Sequence, residues 1–273
     1  LARRGHEVKF LTMESGNDNS VFISILGSVE REVILEPKHP GPFRLIQLLR
    51  GWRPLKRALN RFDAEVIYAG LEWPDWLAAR AVQSMDPPPV AVAAICNSAE
   101  KMSWKRRLPL WLLARRGRLN GLVSVSQAGL DEARRIGIKG GIEGVIHCGI
   151  DTDRFQPMPD GAAEARRRLG ISDDALLVGH VARLSPMKDH DSLLRAFALV
   201  FKQRPDAHLA CVYDGTESQR QPLQELAEDL GISDNVHWLF RELNMPPVYS
   251  AMNVLVLSSK DGEGFPNALA EAM

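Results

Sequence analysis

The chain has 273 residues, 45% of them hydrophobic and 25% charged, which is typical of a soluble globular protein and long enough for two domains. Its 34 Lys/Arg balance its 34 Asp/Glu unevenly: residues 1–150 hold 22 basic and 15 acidic side chains, and residues 151–273 hold 12 and 19. Three widely spaced cysteines argue against a disulfide framework and favour a reducing cytoplasm, and no apolar run approaches the ~20 residues of a membrane span.

Strands and helices alternate along the first half of the chain. The predicted strands are Val8–Met13, Val33–Leu35, Val66–Ala69, Val90–Ile95, Leu122–Ser124 and Val145–His147. The predicted helices are Phe43–Phe62, Pro74–Met85, Trp104–Leu119 and Gln127–Ile136. Pro109 is expected to break or to start the third helix. This alternation predicts a parallel sheet covered by helices.

The second half repeats the alternation after a stretch with no periodicity and two prolines, residues 148–160. Its predicted helices are Ala162–Leu169, Ser192–Gln203, Gln221–Leu230 and Val248–Met252. Its predicted strands are Leu176–Val181, His208–Tyr213, Val236–Phe240 and Val254–Leu257. We therefore expect a Rossmann-like domain at residues 1–150, a linker at 151–160 and a second Rossmann-like domain at 161–273. The chain starts without methionine and stops inside a predicted helix, so we expect a fragment truncated at both ends.

The stretch from Ser258 to Met273 carries the strongest motif. It follows a predicted strand, has turn residues up to Gly264 and then continues with helix formers after Pro266. A helix N-terminus facing the carboxyl end of a strand favours an anion such as a phosphate. Glu263 in the loop and Glu271 in the helix could both accept hydrogen bonds from one polyhydroxylated ligand.

The string E-G-F-P-N-A-L-A-E-A-M, residues 263–273, resembles the Glu-x7-Glu motif of retaining glycosyltransferases of the GT-B fold, family 4 (glycosyl transferases group 1). Two glutamates at this spacing alone would also suit an ordinary strand–loop–helix turn. The resemblance implies two Rossmann-like domains whose parallel sheets face a central cleft. It also implies transfer of a sugar, with retention and without a metal or other cofactor, from a nucleotide-diphosphate sugar to a glycan or lipid-linked acceptor. Nucleic acid is not an expected partner.

Arg183 and Lys188 stand five residues apart across a proline, after a predicted strand. Both could bind one diphosphate, Arg as a bidentate fork and Lys as a point charge, although two solvated surface cations would have the same spacing. The segment resembles the family's G-R-L-x-x-x-K-G, with Ala182 in place of the first Gly and Asp189 in place of the last.

The resemblance implies donor-binding roles for further residues. Glu263 would position the sugar and act with Arg183 and Lys188 in catalysis, and Glu271 would bind the ribose. Arg241 follows a segment similar to N-V-x-F-L-G and is expected near the base or ribose. The remaining implied donor-binding residues are Gly215, in a turn similar to G-D-G-P, and Gly264, Phe265, Pro266 and Asn267.

The acceptor half departs from the family pattern. Tyr68 and Gly70 stand where histidines are usual, and Cys96 stands where a His beside the reacting sugar is common. Either Asn97 or Glu72 takes that place, or the protein is a catalytically impaired sugar-nucleotide-binding or scaffold protein of the same fold. A nicotinamide oxidoreductase is disfavoured, since no G-x-G-x-x-G follows a strand.

Two other patterns in the sequence could indicate binding, one of a metal ion and one of a membrane surface. Asp151-Thr152-Asp153 and Asp189-His190-Asp191 are D-x-D strings, but the first lies in the linker and the second caps a predicted helix, so no metal site is expected. Basic residues interleave with Trp and Leu between residues 101 and 118, a composition typical of a helix on an anionic membrane surface. A solvated helix whose Leu/Trp face packs on the sheet has the same composition. We therefore expect a cytoplasmic protein with possible peripheral membrane contact.

Overall fold

The computed structural model describes residues 7–12, 30–33, 52–70, 78, 80–102 and 104–273. The chain forms two compact units, which meet in sequence between His147 and Cys148. Each unit is an α/β structure, as the alternating pattern predicts, and each is described by itself below. Residues 74–77 and 79 of the predicted helix at Pro74–Met85, the first part of the one at Phe43–Phe62 and the end of the strand at Val33–Leu35 lie outside the described residues.

The first unit is built on parallel strands. Strands β1 (Lys9–Thr12) and β2 (Glu30–Val33) form a two-stranded parallel pair. A four-stranded parallel sheet in the order β3-β4-β5-β6 comprises β3 (Val66–Gly70), β4 (Val90–Ile95), β5 (Gly121–Ser124) and β6 (Ile142–Val145). The described helices are α1 (Trp52–Phe62), α2 (Trp104–Arg115) and α3 (Gln127–Arg135), and residues 80–83 are helical as well.

The second unit contains a four-stranded parallel sheet in the order β10-β7-β8-β9. Its strands are β7 (Leu177–Arg183), β8 (His208–Asp214), β9 (Val236–Phe240) and β10 (Val254–Leu255). Its helices are α4 (Pro159–Leu169), α5 (His190–Gln203), α6 (Glu217–Asp229), α7 (Met245–Ala251) and α8 (Asn267–Ala272). Short 3₁₀ turns occupy Pro186–Lys188 and Ser233–Asn235.

Separate apolar clusters hold the helices to the sheets. In the first unit, Leu110 and Leu113 of α2 are buried in one cluster with Ile95 and Leu122 of the sheet. In the second, Leu194 and Phe197 of α5 pack with strand residues of β8. Burial of these side chains supplies the main driving force for each unit, at roughly 1.5–3 kcal/mol per fully buried aliphatic or aromatic side chain.

Several helices and strands differ from their predicted bounds, and α2 and β6 show why. Helix α2 runs through Pro109 without a break, because the buried leucines on its inner face outweigh the lost backbone hydrogen bond.

Strand β6 begins at Ile142, three residues earlier than predicted, because pairing with β5 sets its register. Gly140 lies just before it, and a Cβ there would stand 2.6 Å from the backbone nitrogen of Leu122. The glycine thus permits the close approach that starts the pairing.

Candidate functional site

Two loops of the second unit meet at the carboxyl edge of its sheet. Strand β10 pairs in parallel with β7, with Val254 opposite Val178, so the segments that follow both strands lie side by side. The segment after β7 contains Lys188, and the segment after β10 contains Glu263. The sheet topology therefore joins two motifs that are 75 positions apart in the sequence.

Lys188 and Glu263 form an ion pair that is mostly shielded from solvent, with 15% and 24% of their side chains exposed. Ser259 Oγ donates a second hydrogen bond to Glu263 Oε1, at 2.7 Å. Burial raises the pKa of Glu263, but the hydrogen bonds from Lys188 and Ser259 and the charges of Lys188 and Arg183 outweigh it, so the pKa lies below its ordinary value. Glu263 is thus ionised at neutral pH.

Arg183 ends β7 with an exposed side chain, and its charge contributes to the lowered pKa of Glu263. The structure therefore brings the three predicted catalytic residues, Arg183, Lys188 and Glu263, to one edge of the sheet. Two cations beside one carboxylate leave a net positive charge there. Such a site favours an anion with several oxygens, such as a diphosphate.

Glu271 lies in α8 and has a partner that the sequence did not reveal. Its Oε2 accepts a 2.8 Å hydrogen bond from the hydroxyl of Tyr249 in α7. Burial, followed by the bond to Glu271, raises the pKa of Tyr249, which keeps the phenol protonated as a donor. Tyr249 therefore fixes the orientation of the Glu271 carboxylate.

The segment between Glu263 and α8 is half-buried. Gly264, Phe265 and Pro266 lie in this loop, and Pro266 is the N-cap of α8. Asn267 is the exposed first residue of the helix.

Gly215 and Arg241 lie at the ends of β8 and β9, on the same edge of the sheet. A Cβ at Gly215 would stand 2.8 Å from Cβ of Leu184, so packing between the two loops already requires a glycine there. Arg241 has φ +46°, a left-handed conformation, and its Nε donates to Asp214 Oδ1 at 2.8 Å. The pair holds an exposed guanidinium above this edge.

Two buried histidines lie next to the Lys188 turn. His180 Nδ1 is 2.9 Å from the carbonyl oxygen of Val256 and therefore donates to it, while its Nε2 finds no hydrogen-bond partner among the residues that the structure describes. The ring of His190 lies edge-on to that of His180, with centroids 4.7 Å apart. Burial, then the charges of His180 and Lys188, lower the pKa of His190 to about 4. Both imidazoles are therefore neutral at physiological pH.

The acceptor-side candidates lie in the first unit. Cys96 and Asn97 are both exposed and lie directly after β4. Glu72 lies outside the described residues. Glu132 of α3 accepts hydrogen bonds from Ser98 Oγ at 2.8 Å and from the backbone N–H of residues 99 and 100. This carboxylate, which the sequence did not single out, fixes the loop that follows Cys96 and Asn97.

Both D-x-D strings are engaged by the backbone. Asp151 Oδ1 accepts from the N–H groups of Asp153 and Arg154, at 3.2 and 3.1 Å. Asp189 accepts from the N–H of Ser192 and caps α5, as predicted. Within the described ranges, no three His, Cys, Asp or Glu side chains are grouped so that they could hold a metal ion.

Helix α2 presents apolar groups to solvent as well as to the core. Trp104 is 70% exposed and Leu108 48% exposed, next to the exposed Arg107. Arg115 lies over the ring of Trp111, 5.2 Å from its centroid. Among the residues with described positions, no helix is long and apolar enough to cross a bilayer.

Two relatives with assigned names match part of the chain. A D-inositol 3-phosphate glycosyltransferase of Streptomyces avermitilis is 39% identical over 130 residues, 42% of this chain and 26% of that protein. A GDP-mannose-dependent alpha-(1-6)-phosphatidylinositol monomannoside mannosyltransferase of Mycolicibacterium smegmatis is 41% identical over 88 residues, 32% of this chain and 22% of that protein. The matches thus span about a quarter of these relatives.

A solved structure matches almost the whole chain. The crystal structure of Anabaena HepE in complex with UDP and glucose superposes with a TM-score of 0.79 at 20% identity, covering 97% of this chain and 77% of that one. This likeness of fold, with the two parallel sheets, confirms the GT-B class expected from the sequence.

Family descriptions match both halves of the chain. Residues 162–273 match Glycosyl transferases group 1, the part that contains Arg183, Lys188, Glu263 and Glu271. Residues 1–154, more than half of the 273, match Glycosyltransferase Family 4. The chain therefore belongs to glycosyltransferase family 4.

Proposed function

We propose that the protein transfers a sugar, with retention of configuration, from a nucleotide-diphosphate sugar bound on its second unit to a glycan or lipid-linked acceptor. The observation that carries the proposal is the ion pair of Lys188 and Glu263 beside Arg183. It combines cations for a diphosphate with an ionised acceptor for sugar hydroxyls. The family to which the chain belongs supports the reaction class.

In this proposal, Lys188 and Arg183 stabilise the negative charge that grows on the diphosphate as the bond from its oxygen to the sugar C1 breaks. Such charge stabilisation by positioned donors is a large term in catalysis. Glu263 stays ionised, accepts hydrogen bonds from the sugar and keeps Lys188 directed at the donor. The acceptor oxygen forms the new bond to C1, and its proton passes to the departing diphosphate oxygen.

The nucleoside would lie along the same edge. Glu271, held by Tyr249, has a second carboxylate oxygen to accept from a ribose hydroxyl. Arg241, held by Asp214, presents further N–H donors toward a base. Because HepE was crystallised with UDP and the mycobacterial relative is named for GDP-mannose, uridine and guanosine donors are the first to test.

The test is donor turnover by the full-length protein. Incubation with a panel of UDP- and GDP-sugars, with and without glycan and lipid acceptors, should release nucleoside diphosphate from at least one donor. Glu263→Gln should abolish most of the release, and Glu164→Gln, on the exposed face of α4, should leave it unchanged. Equal release by wild type and Glu263→Gln would contradict the proposal.

A second candidate is a protein that binds sugar nucleotides without transferring the sugar. The observation that favours it is the exposed Cys96 at the end of β4, where a His is common in the resemblance. Tight binding of a nucleotide sugar, with neither hydrolysis nor transfer, would support this candidate. Turnover that survives in Cys96→Ser but not in Asn97→Ala would instead assign the acceptor-side role to Asn97.

We propose further that transfer needs no metal ion. The carboxylates of Asp151 and Asp189 are occupied by backbone N–H groups, and that of Asp189 also by Lys260. Turnover should therefore be the same in EDTA as in Mg²⁺ or Mn²⁺. Activity that disappears in EDTA and returns with Mn²⁺ would assign a metal to the site.

The proposed acceptor surface includes helix α2. Its exposed Trp104 and Leu108 lie one turn apart and are flanked by the exposed Arg107, so the outer face of α2 suits an anionic phospholipid surface on the cytoplasmic side. The +7 balance of residues 1–150 has the sign that such a surface attracts.

Vesicle co-sedimentation tests this contact. The full-length protein should pellet with vesicles containing anionic lipid at low salt and remain in solution with neutral vesicles. The variant with Trp104→Ser and Leu108→Ser should lose most of this binding, whereas Leu199→Ser, an exposed leucine of α5, should keep it. Equal, negligible pelleting with both kinds of vesicle would leave α2 with a packing role only.

A further inference from the structure

The loop between β10 and α8 is bonded to three consecutive residues of the turn that carries Lys188, namely Met187, Lys188 and Asp189. Ser258 Oγ donates to the carbonyl of Lys188 at 2.6 Å. The backbone N–H of Lys260 donates to the carbonyl of Met187 at 2.9 Å. The side chain of Lys260 then pairs with Asp189, with Nζ 3.0 Å from Oδ1. Lys188 is thus enclosed by bonds on both sides.

The side chains of Asp189 and Lys260 have different surroundings. Only 8% of the Asp189 side chain is exposed, against 60% of the Lys260 side chain. Hydrogen bonds from Ser192, followed by Lys260, hold the pKa of Asp189 below its ordinary value despite burial. Asp189 is therefore a fixed, charged anchor, and Lys260 is the group that reaches it from the loop.

Asp189 adopts a left-handed backbone, with φ 48° and ψ 53°, and caps α5. The family pattern that this segment resembles has a glycine at this position. A glycine would adopt the same backbone without strain but would offer no carboxylate. Aspartate and asparagine tolerate this conformation better than other side chains. The carboxylate at this position therefore adds an interaction that the backbone shape alone does not require.

We propose that the ion pair of Lys260 and Asp189 is a positioning contact that holds residues 258–264 on the Lys188 turn, so that Lys188 and Glu263 meet the donor as one preassembled unit. The proposal rests on the proposed function for what this unit binds. Lys260 and Asp189 are positioning residues here, since neither is assigned a contact with the donor. The close approach of Gly262 to Met187, where a Cβ would lie 2.8 Å from Sδ, agrees with a docked loop.

The expected loss of affinity when the pair is broken follows from the exposed fractions of the Asp189 and Lys260 side chains. Ion pairs between fully exposed side chains contribute little, because water screens them and ordering two long side chains costs entropy. Here one partner is already buried and fixed, and the main chain of Lys260 is bonded to the same turn, so less order is lost when the pair forms. We expect breaking the pair to weaken nucleoside-diphosphate binding three- to tenfold.

The test uses substitutions that remove the charge and keep the shape. Asp189→Asn retains a helix cap and tolerance of the left-handed backbone but loses the charge, and Lys260→Met retains the aliphatic stem. Each should raise the Kd for UDP and GDP three- to tenfold, and the double variant should be no weaker than the weaker single. Lys260→Arg should bind like the wild type. Asp191→Asn, which removes the partner of Arg195 at the same helix end, is the matched control and should stay within twofold.

Hydrogen exchange of the unliganded, full-length protein gives a reading that does not depend on the ligand. The amides of residues 258–264 should exchange faster in Asp189→Asn and Lys260→Met than in the wild type and in Asp191→Asn. Unchanged exchange in both variants would overturn the proposal whatever the binding data show, and faster exchange with unchanged affinity would overturn the positioning role. If the wild type binds no nucleotide at all, the proposed function fails, while exchange still decides whether the pair holds the loop.

Discussion

In each unit a glutamate gathers donors around a loop that follows a strand, but the donors differ. In the first unit, Glu132 accepts from Ser98 and from two backbone N–H groups. In the second, Glu263 accepts from Lys188 and Ser259. In both cases the hydrogen bonds outweigh burial and hold the pKa of the carboxyl group below its ordinary value.

Under the proposed function, this difference separates a carboxylate that only fixes a loop, Glu132, from one that acts in donor binding, Glu263. Backbone N–H groups cannot leave Glu132 without unfolding the loop after β4, so this carboxylate fixes a loop. Lys188 can turn part of its hydrogen-bonding capacity to another anion, since an ammonium group has three donors. A carboxylate that holds a lysine at the edge of a parallel sheet therefore indicates a binding site, whereas an equally ionised carboxylate that caps a loop does not.

Mild acid should destabilise the second unit most. His190 has a pKa of about 4 in the folded state and an ordinary value of 6.5, so the unfolded chain binds a proton between these values that the folded unit excludes. Stability should therefore fall as the pH falls from about 6.5 toward 4. Between pH 7 and pH 5 we expect His190 to account for a loss of about 2 kcal/mol. His180, Lys188 and Asp189 are the charged or titratable groups that act on it or adjoin it.

Denaturant unfolding at the two pH values measures this loss, with His190→Gln as the informative variant. The variant should be less stable at pH 7 but should lose less stability on acidification than the wild type. His147→Gln, at an exposed position of the first unit, serves as the control. If His190→Gln and the wild type lose the same amount, the buried histidine is not the source.

The loop after β4 should depend on Glu132 for stability. Glu132→Gln replaces charge-assisted hydrogen bonds with weaker ones, and we expect unfolding of the first unit to become easier by about 1–2 kcal/mol. Asp131→Asn, beside it on α3 and paired with the exposed Arg134, should change stability much less. Because the folded pKa of Glu132 is lowered, its contribution is present above the ordinary value of 4.5 and is lost as the pH falls below it. A Glu132→Gln protein as stable as Asp131→Asn would remove the distinction drawn between the two glutamates.

The smallest effects are expected at two exposed ion pairs of similar exposure, one in each unit. Arg135 pairs with Glu100 in the first unit, and Arg241 pairs with Asp214 in the second. Arg135→Ala and Arg241→Ala should each change stability by less than about 0.5 kcal/mol. Only Arg241→Ala should weaken binding of a nucleoside diphosphate, because Arg241 lies at the edge with Lys188. Equal, unchanged affinities in both variants would remove Arg241 from the site.

The sequence predicts the architecture and the convergence of Arg183, Lys188 and Glu263, because each follows a predicted apolar strand and parallel strands present their carboxyl ends together. It does not predict the bond from Tyr249 to Glu271 or the pair of Lys260 and Asp189. Those contacts depend on which loops the sheet order places side by side, and no residue pattern along the chain records that order. The sequence predicts the start of β6 three residues too late for a similar reason, since its register is set by pairing with β5 and not by its own apolar residues.

The central claim is that Lys188 and its neighbours bind the diphosphate of a nucleotide donor. Calorimetric titration of the full-length protein with UDP and GDP tests it directly, comparing the wild type, Lys188→Ala and Lys202→Ala, a lysine in the last turn of α5. We expect saturable binding by the wild type and by Lys202→Ala. In Lys188→Ala we expect a loss of about 1.5–3 kcal/mol, roughly ten- to a hundredfold in Kd. An affinity that Lys188→Ala leaves unchanged would contradict it.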